Sequence, residues 1–154
     1  VMDKTKSGYR LPTEAEMEFA ARGADPANAA WLFRYAGGDT ADADAVAWYH
    51  GNSPYALKPA GGKTANRLGI HDLSGNAQEW CWDWMNYSVD VDTTVPEDGA
   101  ARNQMIGGRN GGNQKAFNGG GVGSNITMSC VTYRWGFGPD YNDSFVGFRV
   151  VYAP

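Results

Sequence analysis

The sequence predicts an α+β fold in which few short strands and helices are joined by long loops. The prediction rests on one well-capped helix near the N-terminus, on short alternating runs that suit strands, and on 21 glycines in 154 residues. That glycine share is about twice the usual ~7%. Hydrophobic residues make up 42% of the chain, which suffices for one core, so we expect a single domain over residues 1–154.

The first predicted element is a helix from Thr13 to about Arg22. Thr13 suits the N-cap position, and Glu16, three residues later, completes a capping box. Gly23 suits the C-terminal stop of this helix. A second and weaker helix is predicted near Asp39–Ala47.

Three short strands are predicted, over Ala77–Trp84, Thr127–Thr132 and Gly147–Tyr152. In the last of them, large apolar residues recur at every second position, which is the period of a strand. The three tryptophans of the first strand also alternate, so they share one face of it. Because large aromatic side chains dominate core burial, we expect that face to be buried.

Charge and composition exclude several classes of function. The chain has 13 basic and 17 acidic residues and a net charge of -4, so it lacks the basic footprint of a nucleic-acid binder. No apolar run approaches the ~18 residues of a membrane span. Two cysteines are too few for a disulfide scaffold, and two histidines leave little room for a histidine-rich metal centre. We therefore expect no nucleic-acid partner, no transmembrane segment in this chain and no cofactor.

An aromatic tract over residues 133–146 is the most unusual segment of the sequence. Its rings are interleaved with Gly, Pro, Asn, Asp and Ser, a mixture that suits neither a helix nor a strand. The tract therefore predicts loops with aromatic side chains near solvent, which is typical of a binding surface. The alternative is that the rings fold back into the core. The five rings are Tyr133, Trp135, Phe137, Tyr141 and Phe145.

Three segments, in order, carry a resemblance to a known family. They are Gly8–Gly23 (GYRLPTEAEMEFAARG), Gly69–Asp83 (GIHDLSGNAQEWCWD) and Gly147–Val151 (GFRVV). Together they resemble the formylglycine-generating enzyme (sulfatase-modifying factor) family over roughly residues 8–151. The resemblance implies a C-type lectin-like fold of the formylglycine-generating enzyme type. Because the family's usual N-terminal strands are not in this chain, we expect it to be the C-terminal part of a longer protein.

The resemblance does not extend to the family's copper chemistry. Members that oxidise cysteine hold copper with two closely spaced cysteines near the C-terminal motif, and soft thiolates suit Cu(I). This chain has Cys130 there, but its other cysteine, Cys81, lies in the tryptophan segment. We therefore expect no catalytic residue and no metal. Two alternatives stay open: a non-copper enzyme such as an iron-dependent sulfoxide synthase, and a structural calcium near Asn76 and Glu79.

The aromatic tract also resembles the variable proteins of diversity-generating retroelements. In those proteins, adenines in selected codons near the end of a lectin-fold domain are mutagenised around a fixed frame. Here that frame is Arg134, Pro139, Asp140 and Gly147–Arg149. The resemblance implies a scaffold over about 1–106 and a variable ligand-binding region over about 107–151. The candidate contact residues are Tyr133, Trp135, Gly136, Phe137, Gly138, Tyr141, Asp143, Ser144 and Phe145, and in second rank Arg109, Asn110, Asn113, Phe117 and Asn118.

The genetic code is compatible with most of these positions. Changing the adenines of an AAC codon yields codons for Tyr, Gly, Phe, Asp and Ser, but none for Trp, so Trp135 departs from the pattern. The resemblance implies display at a bacterial cell surface or a phage surface and contact with a protein or other surface ligand. A missing N-terminal segment would supply a lipid anchor in the bacterial case. A lectin-like adhesin without diversification is a further alternative.

Overall fold

The computed structural model describes residues 8–85 and 114–153. Within them lie six short strands, two α-helices and several single turns of 3-10 helix. The predicted fold class is confirmed, because short elements are joined by long loops throughout these two ranges. The candidate contact residues Arg109, Asn110 and Asn113 fall outside the described residues. No helix in the described part of the chain has the length and apolar character needed to cross a membrane.

Helix α1 spans Glu14–Ala21 and confirms the capping prediction. The Thr13 side chain accepts a hydrogen bond from the Glu16 backbone N–H at 3.1 Å, and Glu16 Oε2 accepts one from the Thr13 backbone N–H at 2.8 Å. Glu16 also pairs with the guanidinium of Arg10 at 2.6 and 2.7 Å. The weaker predicted helix is a 3-10 turn at Thr40–Asp42 followed by α2 at Ala43–Val46.

Two small sheets organise the described chain. In the first, β1 (Gly8–Arg10) pairs antiparallel with β6 (Val151–Ala153), so the two ends of the described chain lie side by side. The second sheet has the order β4-β3-β2-β5. In chain order, these strands are β2 at Gln78–Trp84, β3 at Lys115–Asn118, β4 at Arg134–Phe137 and β5 at Val146–Gly147. Strand β5 runs parallel to β2, and β3 is antiparallel to both of its neighbours.

Two of the strand predictions are corrected by the structure. The predicted strand over Thr127–Thr132 is wrong in its first half, because Ile126–Ser129 form a 3-10 turn. Local bonds favour this turn, because the Thr127 hydroxyl and the Met128 backbone N–H both bond to Asn125. The predicted strand over Gly147–Tyr152 is divided between β5 and β6, which belong to different sheets.

The aromatic face of β2 also differs from the prediction. The tryptophans alternate as expected, but they are only half-buried, and Cys81 and Asp83 are the buried side chains of the strand. The main core cluster forms around that opposite face. Its buried members are Met17, Ala21, Ala36, Leu73, Cys81, Met85, Ala116 and Val131.

Candidate ligand-binding site

Strand β4 sorts the aromatic tract into two faces. Successive side chains of a strand point to opposite sides, so positions 135 and 137 share one face and positions 134 and 136 share the other. On the second face, Arg134 Nη2 lies 2.5 Å from Glu14 Oε2 of helix α1. Trp135 and Phe137 line a cleft on the first face. The tract is therefore not all loop: four of its residues form a strand, which fixes which side chains reach the cleft.

The cleft has a volume of about 400 Å³. Six candidate contact residues meet there, namely Tyr133, Trp135, Phe137, Tyr141, Asp143 and Phe145. Six further residues complete the lining, namely Tyr55, Gln78, Gly121, Gly123, Ser124 and Met128. Trp135 is 44% exposed, whereas the other four rings of the tract are half-buried. The tract thus presents one aromatic surface rather than separate exposed rings.

Phe117 connects this surface to the core. The rings of Phe137 and Tyr141 are stacked with their centroids 4.0 Å apart and their planes at 8°. Phe117, which is 1% exposed, lies 5.6 Å from Phe137 and 6.1 Å from Tyr141. Phe117 also packs edge-to-face against Trp80, with the ring centroids 3.9 Å apart. Phe117 therefore packs against the stacked pair on its core side, and it is too buried to contact a ligand.

Asp143 fixes the loop that follows the strand. Its carboxylate accepts hydrogen bonds from the Phe145 backbone N–H at 3.0 Å and from the Tyr141 hydroxyl at 3.0 Å. These bonds, led by the one from Phe145, lower the pKa of Asp143, so this exposed side chain is ionised at neutral pH. The Phe145 carbonyl in turn accepts a bond from the Gln78 backbone N–H of β2 at 2.9 Å. The loop is thereby tied to the sheet.

Tyr55 is a cleft residue that sequence reasoning missed. Its side chain is 62% exposed, and its backbone has a φ of 51°, a left-handed value that is uncommon for a residue other than glycine. Its ring packs edge-on against His50 at 4.9 Å and lies 5.9 Å from Phe145. No motif marks this position, since the ring is brought to the cleft by a loop some eighty residues before the aromatic tract. On its other side lies a second cleft of about 480 Å³, which Tyr49 and His50 help to line.

Three candidate contact residues are buried, which corrects their assignment to a ligand surface. Phe117 belongs to the support just described. Asn118 is 8% exposed and lines a separate cavity beside Glu14 and Arg134. Gly136 is buried as well, and a Cβ at this position would lie 2.8 Å from Met85 Cβ. Variation at position 136 would therefore require the strand or its neighbours to shift.

The other two candidates fit the surface without lining the main cleft. Gly138 is open, because a Cβ at this position would meet no atom within 4 Å. Ser144 is exposed, and its hydroxyl lies 3.4 Å from the Asp143 carboxylate. Both positions can therefore change without disturbing the frame of the sheet.

The two cysteines do not fit a copper pair. Cys81 is fully buried in the main core cluster, and burial raises the pKa of its thiol well above the ordinary value. Cys130 packs against the second cluster, around Tyr35 and Val46, and its Sγ lies 3.6 Å from Thr132 Oγ1. Both cysteines are free. Over residues 8–85 and 114–153, no group of three or more His, Cys, Asp or Glu side chains is placed to hold a metal ion.

Asn76 and Glu79, the open calcium candidates, make internal contacts. The Asn76 side chain accepts a bond from the Lys58 backbone N–H at 3.0 Å and donates one to the Lys58 carbonyl at 3.1 Å. Glu79 forms a double hydrogen bond with Arg149 at 2.5 and 2.8 Å. Burial raises the pKa of Glu79, and the Arg149 guanidinium opposes that shift. These oxygens thus hold the loop and the C-terminal motif in place.

Comparisons with known proteins agree with this architecture. The model of the sulfatase-modifying factor enzyme 1-like domain matches residues 3–154. The solved structure of Treponema denticola variable protein 1 superposes with a TM-score of 0.77 at 32% identity, and it covers 99% of this chain and 50% of that one. The chaperone protein LppX of Paenibacillus barcinonensis is 38% identical over 105 residues, which are 57% of this chain and 36% of that protein. The formylglycine-generating enzyme of Mycobacterium tuberculosis is 37% identical over 83 residues, which are 48% and 27%.

This chain is therefore shorter than the proteins that it resembles. It spans about half the length of the variable protein and about a third of LppX.

Proposed function

The chain belongs to the sulfatase-modifying factor enzyme 1-like family, and we propose that it is a non-enzymatic ligand-binding member whose contact surface is diversified by a retroelement. The observation that carries this proposal is the cleft, which gathers six of the positions that the sequence marks as variable. Similarity to a variable protein over 99% of the chain supports the same conclusion.

The physical logic of the site favours diversification. The six candidate contact positions in the cleft are exposed or half-buried, and substitutions at such positions usually cost little stability. The fixed positions hold structure: Arg134 pairs with Glu14, and Arg149 pairs with Glu79. Variation at the cleft would therefore change which ligand binds while leaving the fold intact.

An enzymatic role is the second candidate, because two relatives named formylglycine-generating enzyme match 48% and 62% of the chain. That chemistry needs paired reactive thiols, and the thiolate is the reactive form of cysteine. Cys81 is buried in the core and its pKa is raised, so it is held as an unreactive thiol. The site therefore favours binding over catalysis.

We further propose that the ligand is a protein or another surface molecule and that the domain is displayed at a bacterial cell surface or a phage surface. Aromatic anchors set among Gly, Ser, Asn and Asp are the chemistry of surfaces that recognise proteins. In this setting, the long loops between rigid elements supply the contact residues and the sheet holds them in register.

The direct test is to sequence the DNA that flanks the gene. We expect an inexact copy of the segment encoding residues 107–151, beside a reverse-transcriptase gene. The differences should be confined to adenines and should fall at codons for the cleft residues Phe137, Tyr141, Asp143 and Phe145. Codons for Arg134 and Gly136 should be the same in both copies. The absence of such a copy would refute diversification and leave a fixed binding domain.

A further inference from the structure

The chemistry of the cleft is unusual in being both aromatic and acidic. Among the described residues, six aromatic side chains line it, together with one carboxylate, that of Asp143. None of the described residues that line it is Lys or Arg. Aromatic rings carry negative charge on their faces, and such faces attract cations. The lining is therefore suited to a positively charged group.

Other aromatic faces in this protein already hold a cation. Lys63 Nζ lies 3.8 Å from the ring centre of Trp48, and Lys115 Nζ lies 4.2 Å from that of Trp84. In the cleft the situation differs. Across the two described ranges, no Lys or Arg lies over the rings of Phe137, Tyr141 or Phe145. Within the described residues, a Lys or Arg lies over the rings of Trp31, Trp48, Trp82 and Trp84, whereas these three cleft rings have no such cation.

The carboxylate of Asp143 is held in a position to pair with a cation bound in the cleft. The bonds from Tyr141 and Phe145 orient it, and it is exposed on the lining of the cleft. A carboxylate has room for about four hydrogen bonds. Asp143 Oδ1 accepts from Phe145 and Ser144, whereas Oδ2 accepts from Tyr141, so Oδ2 keeps room for one N–H donor from outside. The carboxamide of Gln78 and the hydroxyl of Ser124 add further polar groups to the lining.

We propose that this cleft binds the cationic end of a lysine or arginine side chain of a protein ligand. In this arrangement the rings of Tyr55, Phe137 and Tyr141 contact the alkyl stem and the charged head, and Asp143 accepts hydrogen bonds from the head group. Charge complementarity selects the occupant, since the cleft is acidic and the chain has a net charge of -4. A basic side chain fits better than a quaternary ammonium group, because only the former has N–H groups for Asp143.

The inference rests on the proposed function, because it names the chemistry that the same surface recognises. It adds that Tyr55 is a contact residue from the scaffold, outside the region predicted to vary. Because Tyr55 itself lies outside the segment predicted to vary, it would supply one aromatic wall to every variant of the domain. The strained left-handed backbone at Tyr55 is consistent with such a role, since backbone strain clusters at functional sites.

The test is an NMR titration of the ¹⁵N-labelled protein with four small probes. They are the amides of N-acetyl-lysine, N-acetyl-arginine and N-acetyl-norleucine, and the tetramethylammonium ion. Norleucine keeps the alkyl stem of lysine and lacks its charge. The reporters are the Trp135 indole N–H and the amides of Gly123 and Phe145. The variants are Asp143→Asn and, as the matched control, Asp140→Asn, because Asp140 is also exposed but is not among the residues that line the cleft.

We expect the lysine and arginine probes to shift the cleft reporters and to bind at least about fivefold more tightly than the norleucine probe. Asp143→Asn should remove that preference, whereas Asp140→Asn should keep it. The Phe145 amide shows whether the loop keeps its structure in Asp143→Asn.

Three outcomes would overturn the inference. Equal binding of lysine and norleucine would mean that the cleft is merely apolar. Tetramethylammonium binding as tightly as lysine, with no effect of Asp143→Asn, would indicate a quaternary cation site instead. The absence of any shift at the cleft reporters would mean that no basic side chain binds there. The first two outcomes leave the proposed function intact, and the DNA test judges that function separately.

Discussion

Replacing Gly136 with alanine tests the alternation of side chains along β4, on which the assignment of the cleft depends. A Cβ at this position would lie 2.8 Å from Met85 Cβ, 2.9 Å from Met85 Cγ and 3.2 Å from Gln114 Cβ. Met85 is 3% exposed, and its backbone N–H donates to the Gln114 carbonyl at 2.8 Å, so neither neighbour is free to move away. Overpacking of this kind typically destabilises a protein by about 1–3 kcal/mol.

Gly138 provides the matched control two residues along. A Cβ at position 138 would meet no atom within 4 Å, and its backbone is not left-handed. Alanine there should restrict the unfolded chain and change the free energy of unfolding by less than about 1 kcal/mol, in the stabilising direction. The same entropic gain offsets part of the overpacking at Gly136. Because that gain is common to both variants, it cancels between them, and Gly136→Ala should be less stable than Gly138→Ala by about 1–3 kcal/mol.

Urea unfolding at 25 °C, followed by circular dichroism, measures both variants against the parent protein. A lower midpoint for Gly136→Ala at unchanged slope is the expected result, because it reports lost stability rather than a changed unfolded state. If Gly136→Ala were as stable as Gly138→Ala, the packing of β4 against Met85 would be wrong. The assignment of positions 134 and 136 to one face of the strand, and of positions 135 and 137 to the cleft, would then be wrong as well.

Two further predictions concern the same surface and the thiols. Trp135→Ala should shift the melting temperature by no more than a few degrees, whereas Phe117→Ala should lose about 3–5 kcal/mol, because only the second ring is fully buried. Comparable losses in thermal unfolding would show that Trp135 is also a core residue. In the native protein a thiol reagent such as Ellman's should modify Cys130 and spare Cys81 until urea unfolds the chain, since burial shields Cys81 and raises its pKa. Rapid modification of both thiols without denaturant would contradict the placement of Cys81 in the core.

Local sequence was sufficient wherever the stabilising contacts are local. The capping box of Thr13 and Glu16 predicted α1, because both hydrogen bonds join residues three apart. Alternation predicted β2 almost to its observed ends. It also predicted that the tryptophans of β2 share a face, but not that the opposite face, with Cys81, would be the buried one. Which face of a strand is buried depends on what packs against it, and that partner is distant in the chain.

The candidate site, too, was predicted from the sequence only in part. The aromatic tract with Arg134 was evident in the sequence, and so was the acidic residue that the structure holds at the cleft. The strand at Arg134–Phe137 was not predicted, because glycine weakens the local preference for a strand. Its pairing with β3 overrides that preference. Once the strand forms, its alternation decides that Phe137 faces the cleft and that Gly136 faces Met85.

The sequence by itself determined the family, the fold class and the segment in which we propose the binding residues, because these depend on motifs and composition carried by the chain in order. Only the tertiary structure decided which of those residues form one surface. It placed Phe117 and Gly136 in the interior and brought Tyr55 to the cleft from a distant loop. The reason is physical: a binding surface is made by side chains that meet in space, and the contacts that bring them together join residues far apart in the chain.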